Sequence, residues 1–229
     1  MDLNYYKNFC AARDKGNYVI DGIVNENKWN SAKYKVLFVL KETVGYSKCP
    51  IFHMKDEMPL WLKTKNKTYT KIGKLAVALD EAFSRNMPLT SEEFRGLDFS
   101  KVNLFAALEK CAVIELKKHS GVSIKSNWKD IKNEFIANRE LLQKQIDTIS
   151  PDITIVGSPI CWECLTDMNV GLFRDIAGLN SVKRHECGVF AGKVFYYANH
   201  PSAWGNGGFS VEKIHRQILE QMRNLTGNR

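Results

Sequence analysis

Apolar residues in this chain gather into short unbroken runs, separated by longer stretches in which they recur at helical spacing. Tyr34-Lys35-Val36-Leu37-Phe38-Val39-Leu40 reads as a buried strand that stops at the polar Lys41-Glu42-Thr43. Cys111-Ala112-Val113-Ile114-Glu115-Leu116 is a second, running into Lys117-Lys118-His119. Ile153-Thr154-Ile155-Val156 is a third, closed by Gly157-Ser158-Pro159, where the proline suits the first turn of a helix reaching Leu165. Cys187-Gly188-Val189-Phe190 turns at Ala191-Gly192 into a strand over Val194–Ala198 that ends at Asn199.

Helical spacing marks Asp2 to Lys15, Thr70 to Arg85 and one long helix from Asn127 to Ile149, with another opening near Ser210. Residues 43 to 68 carry Gly45, Pro50, Pro59 and a cluster of lysines, with Phe52, Trp61 and Leu62 interleaved; a long irregular loop with a short helix is expected. Strands alternating with helices predict an α/β fold with a mostly parallel sheet covered on both faces. In such sheets ligands bind beyond the carboxyl ends of the strands, which is where Glu42, Glu115, Ser158 and His200 fall.

A length of 229 residues suits one domain, taken here as 1–229. The 33 Lys and Arg against 25 Asp and Glu leave a formal charge of +8, which favours a polyanionic partner. Nucleic acid is preferred to a membrane surface, because no amphipathic basic helix or lipidation motif is visible. Met1 to Asn8 lacks a signal-peptide core, and no apolar run approaches the roughly 20 residues of a membrane span, so the expectation is a cytoplasmic monomer. Cysteines 10, 49, 111, 161, 164 and 187 are then expected as reduced thiols.

Asn199-His200-Pro201-Ser202-Ala203-Trp204 follows the last strand and precedes the bulk-free loop Gly205-Asn206-Gly207-Gly208. An imidazole, a fixed-φ proline and a hydroxyl at a strand end are suited to a ligand site. Glu42 leaves the first strand in the same way, and a carboxylate facing an imidazole can perform acid–base or charge-stabilising chemistry. The plainer reading of Glu42 is a solvated carboxylate paired with Lys41 or Lys48.

Taken in order, VLFVLKETVGY, AVIELKK, PDITIVGSPICWECL and YYANHPSAW resemble the motifs of the uracil-DNA glycosylase superfamily over roughly residues 34 to 222. The resemblance implies a three-layer α/β/α sandwich around a four-stranded, mostly parallel sheet. It gives Glu42 the role of positioning water and stabilising sugar charge, and aims His200 at the base O2. Pro201 and Ser202 would grip the DNA backbone, with Ser158 and Lys117 as further contacts; Lys118 and Lys125 extend the basic surface. Trp204 is either a wedge held in the duplex or a side chain packed on the adjacent helix, and either Phe52 or Trp61 stacks on the flipped base.

The chain departs from that family in two places. Leu40, Lys41, Thr43 and Val44 surround Glu42 where a Gly and a Pro are usual, and Glu115 stands where most relatives carry an Asn that reads the base edge. An ionised Glu only accepts hydrogen bonds, which suits the exocyclic amine of cytosine better than O4 of uracil. Excision of ordinary cytosine would be lethal, so a modified cytosine is expected, such as one in phage DNA; the plainer reading is that Glu115 points away or is protonated.

The reading that follows is a monofunctional glycosylase on duplex or single-stranded DNA, in repair or anti-phage defence, with no cofactor. The alternatives are a catalytically silent binder of DNA or modified nucleotide with the same fold, and an enzyme of free nucleotides. Cys10 alone precedes the first motif, so no iron–sulfur cluster is expected, and neither Cys161-Trp162-Glu163-Cys164 nor Cys49 and His53 with His185-Glu186-Cys187 is a strong metal pattern.

Overall fold

The computed structural model describes residues 18–44, 51–121, 126–204 and 210–227, with side chains omitted at 51, 52, 226 and 227. The chain runs β1 (Tyr18–Ile20), β2 (Gly22–Ile23), α1 (Glu26–Ser31), β3 (Val36–Leu40), β4 (Ile51–His53), α2 (Met54–Lys63), α3 (Lys67–Arg85), α4 (Ser91–Gly96) and α5 (Leu104–Leu108). It continues through β5 (Cys111–Glu115), α6 (Trp128–Ala137), α7 (Arg139–Ile149), β6 (Ile153–Val156), α8 (Pro159–Thr166), β7 (Cys187–Phe190), β8 (Lys193–Tyr197) and α9 (Val211–Gly227). The expected helix over Asp2 to Lys15, the loop Gly205-Asn206-Gly207-Gly208 and Lys125 lie outside the described residues.

The fold is α/β, and its main sheet among the described residues has six strands in the order β2-β5-β3-β6-β8-β7. β5, β3, β6 and β8 run parallel, while β2 and β7 pair antiparallel at the two edges, so the sheet is mixed and larger than the four strands expected. β2 escapes a sequence reading because it is two residues long and begins at Gly22 with φ of 128°, too short for any alternation to register. β1 and β4 pair in a separate two-stranded parallel sheet.

Alternation along the strands divides the core. Val36, Phe38, Leu40, Val113, Ile155 and Tyr196 face α2, α3, α5 and α9; Leu37, Val39, Ala112, Ile114, Val156 and Phe195 face α1, α6, α7 and α8. Burying each large apolar side chain contributes about 1.5–3 kcal/mol, so a strand apolar on both faces is stable only between two helix layers.

Two expectations are refined. The stretch 43 to 68 contains β4 and a helix that carries Met54, Met58 and Trp61 into the core. The single helix expected from Asn127 to Ile149 is two helices, broken at Asn138 (φ −105°, ψ 10°). Asn138 is buried and its side-chain amide donates to Glu134 Oε2 at 3.1 Å, the kind of local bond with which Asn competes against continued helix.

Candidate active site

Parallel pairing in register sets Leu40 beside Glu115, Val39 beside Val156 and Val156 beside Tyr197, so four strands end at one edge of the sheet. Glu42, Lys117, Ser158 and His200 follow those ends within three residues. β6 separates β3 from β8, which sets the origins of Glu42 and His200 roughly 10 Å apart. Gly157 closes β6 between them, and a Cβ there would stand 3.0 Å from Leu40 Cδ2 and 3.2 Å from Pro201 Cδ. Gly157 thus lies between Leu40, at the end of β3, and Pro201 of the His200 turn.

Pro201–Ala203 form a single 3-10 turn capped by the His200 side chain. His200 Nδ1 lies 2.8 Å from Ser202 Oγ and accepts the Ser202 backbone N–H at 3.4 Å. The Ser202 backbone N–H aimed at Nδ1 favours the neutral tautomer that carries its hydrogen on Nε2. Burial, with the added charge of Lys41, lowers the His200 pKa from 6.5 to about 4 and keeps the ring neutral near pH 7. Lys41 itself donates to Ser126 Oγ at 3.0 Å. A neutral N–H donor with a cation nearby suits a group on which negative charge develops.

The Glu42 side chain is only 3% exposed, and its Oε2 accepts a 2.8 Å bond from Lys117 Nζ. That partner is not Lys41, whose ammonium goes to Ser126 Oγ; Lys48 lies outside the described residues. The carboxylate rests on Gly121, where a Cβ would stand 2.6 Å from Oε2, and Gly121 is held by its N–H to Thr43 O at 2.7 Å. Lys117 is therefore a partner of Glu42 rather than a projecting phosphate contact. Lys118 is corrected more strongly: it is fully buried, donating to both Asp21 oxygens at 2.7 Å and to Gln145 Oε1 at 3.0 Å.

Glu115 is buried, with Oε1 accepting the Tyr69 hydroxyl at 3.3 Å and Oε2 without a hydrogen-bond partner among the described residues. Burial, then the Asp21 charge, raise its pKa from 4.5 to about 8; Lys118 and Tyr69 oppose the shift and Glu42 adds to it. Near pH 7 the carboxyl is mostly neutral, so it offers one donor and one acceptor, and the acceptor-only expectation is corrected.

The remaining expected site residues divide. Ser202 is exposed on the His200 turn and Pro201 is buried beneath it. Trp204 is 2% exposed and donates its indole N–H to Asn199 O at 2.8 Å, so it packs in the core and is not a projecting wedge. Ser158 is buried at the N-cap of α8. Trp61 is 6% exposed on α2, its ring 4.3 Å from that of Tyr69, which places it one side chain from Glu115 but covered. The Phe52 side chain lies outside the described residues.

Sequence reading missed Asp21, Tyr69 and Lys41. Asp21 accepts from the Glu115 backbone N–H at 2.6 Å as well as from Lys118, and only the apolar Tyr18-Val19-Ile20 before it hinted at burial. Tyr69 falls between the expected loop at 43 to 68 and the expected helix from Thr70, and it stands one turn before Ile72 on the apolar face of α3. Among the described residues no group of three or more His, Cys, Asp and Glu is arranged to hold a metal, and no helix is long and apolar enough to cross a membrane. Cys111, Cys161 and Cys164 are free and buried, and Cys187 is half-buried; Cys10 and Cys49 lie outside the described residues. No protein-family model matches the chain, and no curated protein is similar to it.

Proposed function

We propose that this protein is a monofunctional DNA base glycosylase built on a three-layer α/β/α sandwich, its site assembled at the carboxyl ends of β3, β5, β6 and β8. The observation that carries the reading is the pair Glu42 and His200 on either side of Gly157, with the imidazole neutral and its hydrogen on Nε2. In the reaction, the N-glycosidic bond breaks with its electron pair leaving onto the base. His200 Nε2–H holds the charge that develops at O2, with Lys41 nearby. Glu42 stabilises the cationic sugar, orients water for attack at C1′ and takes its proton, leaving an abasic site. The base, once released, is protonated by solvent, and no cofactor enters.

Glu115 is the residue to read the base edge, displacing the Tyr69 hydroxyl as its partner. Its neutral form matches cytosine through N3 and the exocyclic amine, and matches uracil through O4 and N3–H. Its ionised form accepts from the cytosine amine or from uracil N3–H, and with either base it faces one further acceptor. A modified cytosine, whose amine Glu115 accepts in either state, is the proposed base, in repair or in defence against phage, with uracil the competitor that the cleavage assay separates from it. The nearly closed, ion-paired state of Glu42 favours the second reading, a silent binder that holds the base without cleaving. Alkali-labile sites formed in DNA containing the modified base, and absent after Glu42→Gln, separate the two.

A further inference from the structure

We infer that Lys117 is a positioning residue for Glu42, acting on the cleavage step and not on DNA affinity; the assignment rests on the glycosylase reading. The parallel ladder continues past β3 and β5, with Leu116 N–H donating to Leu40 O at 3.0 Å and Lys117 N–H to Lys41 O at 2.9 Å. This locks the Lys117 backbone beside the residue preceding Glu42, and from there its ammonium reaches Glu42 Oε2 at 2.8 Å. The Lys117 side chain is 16% exposed and that of Glu42 3%, so water competes weakly for either charge.

The Glu42 carboxylate is tightly bounded on one face. Gly121 Cα closes it on one side, at a distance that leaves no room for a Cβ. The other charges nearby are already engaged: Lys41 donates to Ser126 Oγ, while Glu134, the second carboxylate close to Lys117, is bonded to His119 Nδ1 at 2.9 Å and to Asn138 Nδ2 at 3.1 Å. Glu115 is an acid coupled to Glu42, and its proton keeps it from competing for the ammonium near pH 7. Lys117 thus fixes which Glu42 oxygen stays available to water, which is an orientation effect on the reacting geometry.

The discriminating experiment compares Lys117→Met and Lys117→Arg with wild type in single-turnover base release at saturating protein, alongside the affinity for uncleaved DNA over a salt series. Lys117→Met is expected to slow release about 10- to 100-fold with DNA affinity and its salt slope unchanged. Lys117→Arg, which retains the charge and a fork for the carboxylate, is expected to restore most of the rate. If Lys117→Met does not fold, Lys117→Gln, which keeps a donor without the charge, is read in the same way. A Lys117→Met or Lys117→Gln protein that releases base at the wild-type rate, or one whose salt slope falls by about one with a matching loss of affinity, overturns the assignment in favour of an idle pair or a phosphate contact. Wild-type protein that binds DNA yet releases no base overturns the glycosylase reading, and this assignment with it.

Discussion

Glu115 is a strand residue with an ordinary apolar neighbourhood on paper and an unusual carboxyl in the fold. Burial holds its pKa near 8 rather than 4.5, so the folded protein keeps a proton that the unfolded chain has lost over that interval. The stability contributed by the neutral carboxyl is therefore complete below pH 4.5 and drains away as pH rises to about 8. Glu115→Gln removes the titration while keeping a donor and an acceptor. Urea denaturation is expected to show the variant gaining on wild type from pH 5 to pH 8.5, by about 1–3 kcal/mol at the upper end; parallel curves would mean that Glu115 is not held neutral. The sequence put Glu115 at the site but not its charge state, because the groups that set it, Asp21 and Tyr69, are 94 and 46 residues away along the chain. Trp204 takes the packed one of its two expected positions, which the sequence left open for a similar reason. Its loop position suggested projection, while the Asn199 carbonyl that turns its indole inward belongs to a three-dimensional contact no spacing reveals.

At the level of elements, the strands whose apolar runs are unbroken were legible almost to the residue: Ile153–Val156 is as read, and Val36–Leu40 lost only its two leading residues. Breaks of one residue were not legible. Asn138 interrupts a helical pattern without changing its periodicity, and β2 is two residues long. The most consequential junction is Gly157, where β6 ends between the two catalytic candidates. Gly157→Ala would drive a methyl into Leu40 Cδ2 at 3.0 Å, Pro201 Cδ at 3.2 Å and Val39 O at 3.4 Å. Overpacking of this kind costs about 1–3 kcal/mol. The expected result is a lower urea midpoint, with base release slowed to the extent that Pro201 rather than the end of the Leu40 side chain gives way. A destabilised variant with undiminished release would separate the turn from the chemistry.

The formal charge of +8 describes the whole molecule correctly and its individual lysines poorly. Lys117 and Lys118 adjoin in sequence and read as one basic patch, yet the strand alternation sends them to different places: one to Glu42, the other to a fully buried cluster with Asp21 and Gln145. Removing one member of a buried ion pair leaves the other uncompensated, at a cost of about 3–5 kcal/mol. Lys118→Met is therefore expected to lower the unfolding free energy by about that amount, with the salt slope of DNA binding unchanged in whatever folded fraction remains. A changed slope with intact stability would return Lys118 to the surface.

The central claim is bond cleavage by a site at the ends of four parallel strands, and quantifying abasic sites tests it most directly. Duplexes and single strands carrying modified cytosines, uracil or no modification are incubated with wild-type protein, Glu42→Gln and His200→Ala, then treated with alkali. Strand scission is predicted with wild type on a modified-cytosine substrate, falling about 100- to 10,000-fold in Glu42→Gln and about 100- to 1,000-fold in His200→Ala while DNA is still bound. Tight binding of the same DNAs with no abasic product, or equal product from all three proteins, would contradict it.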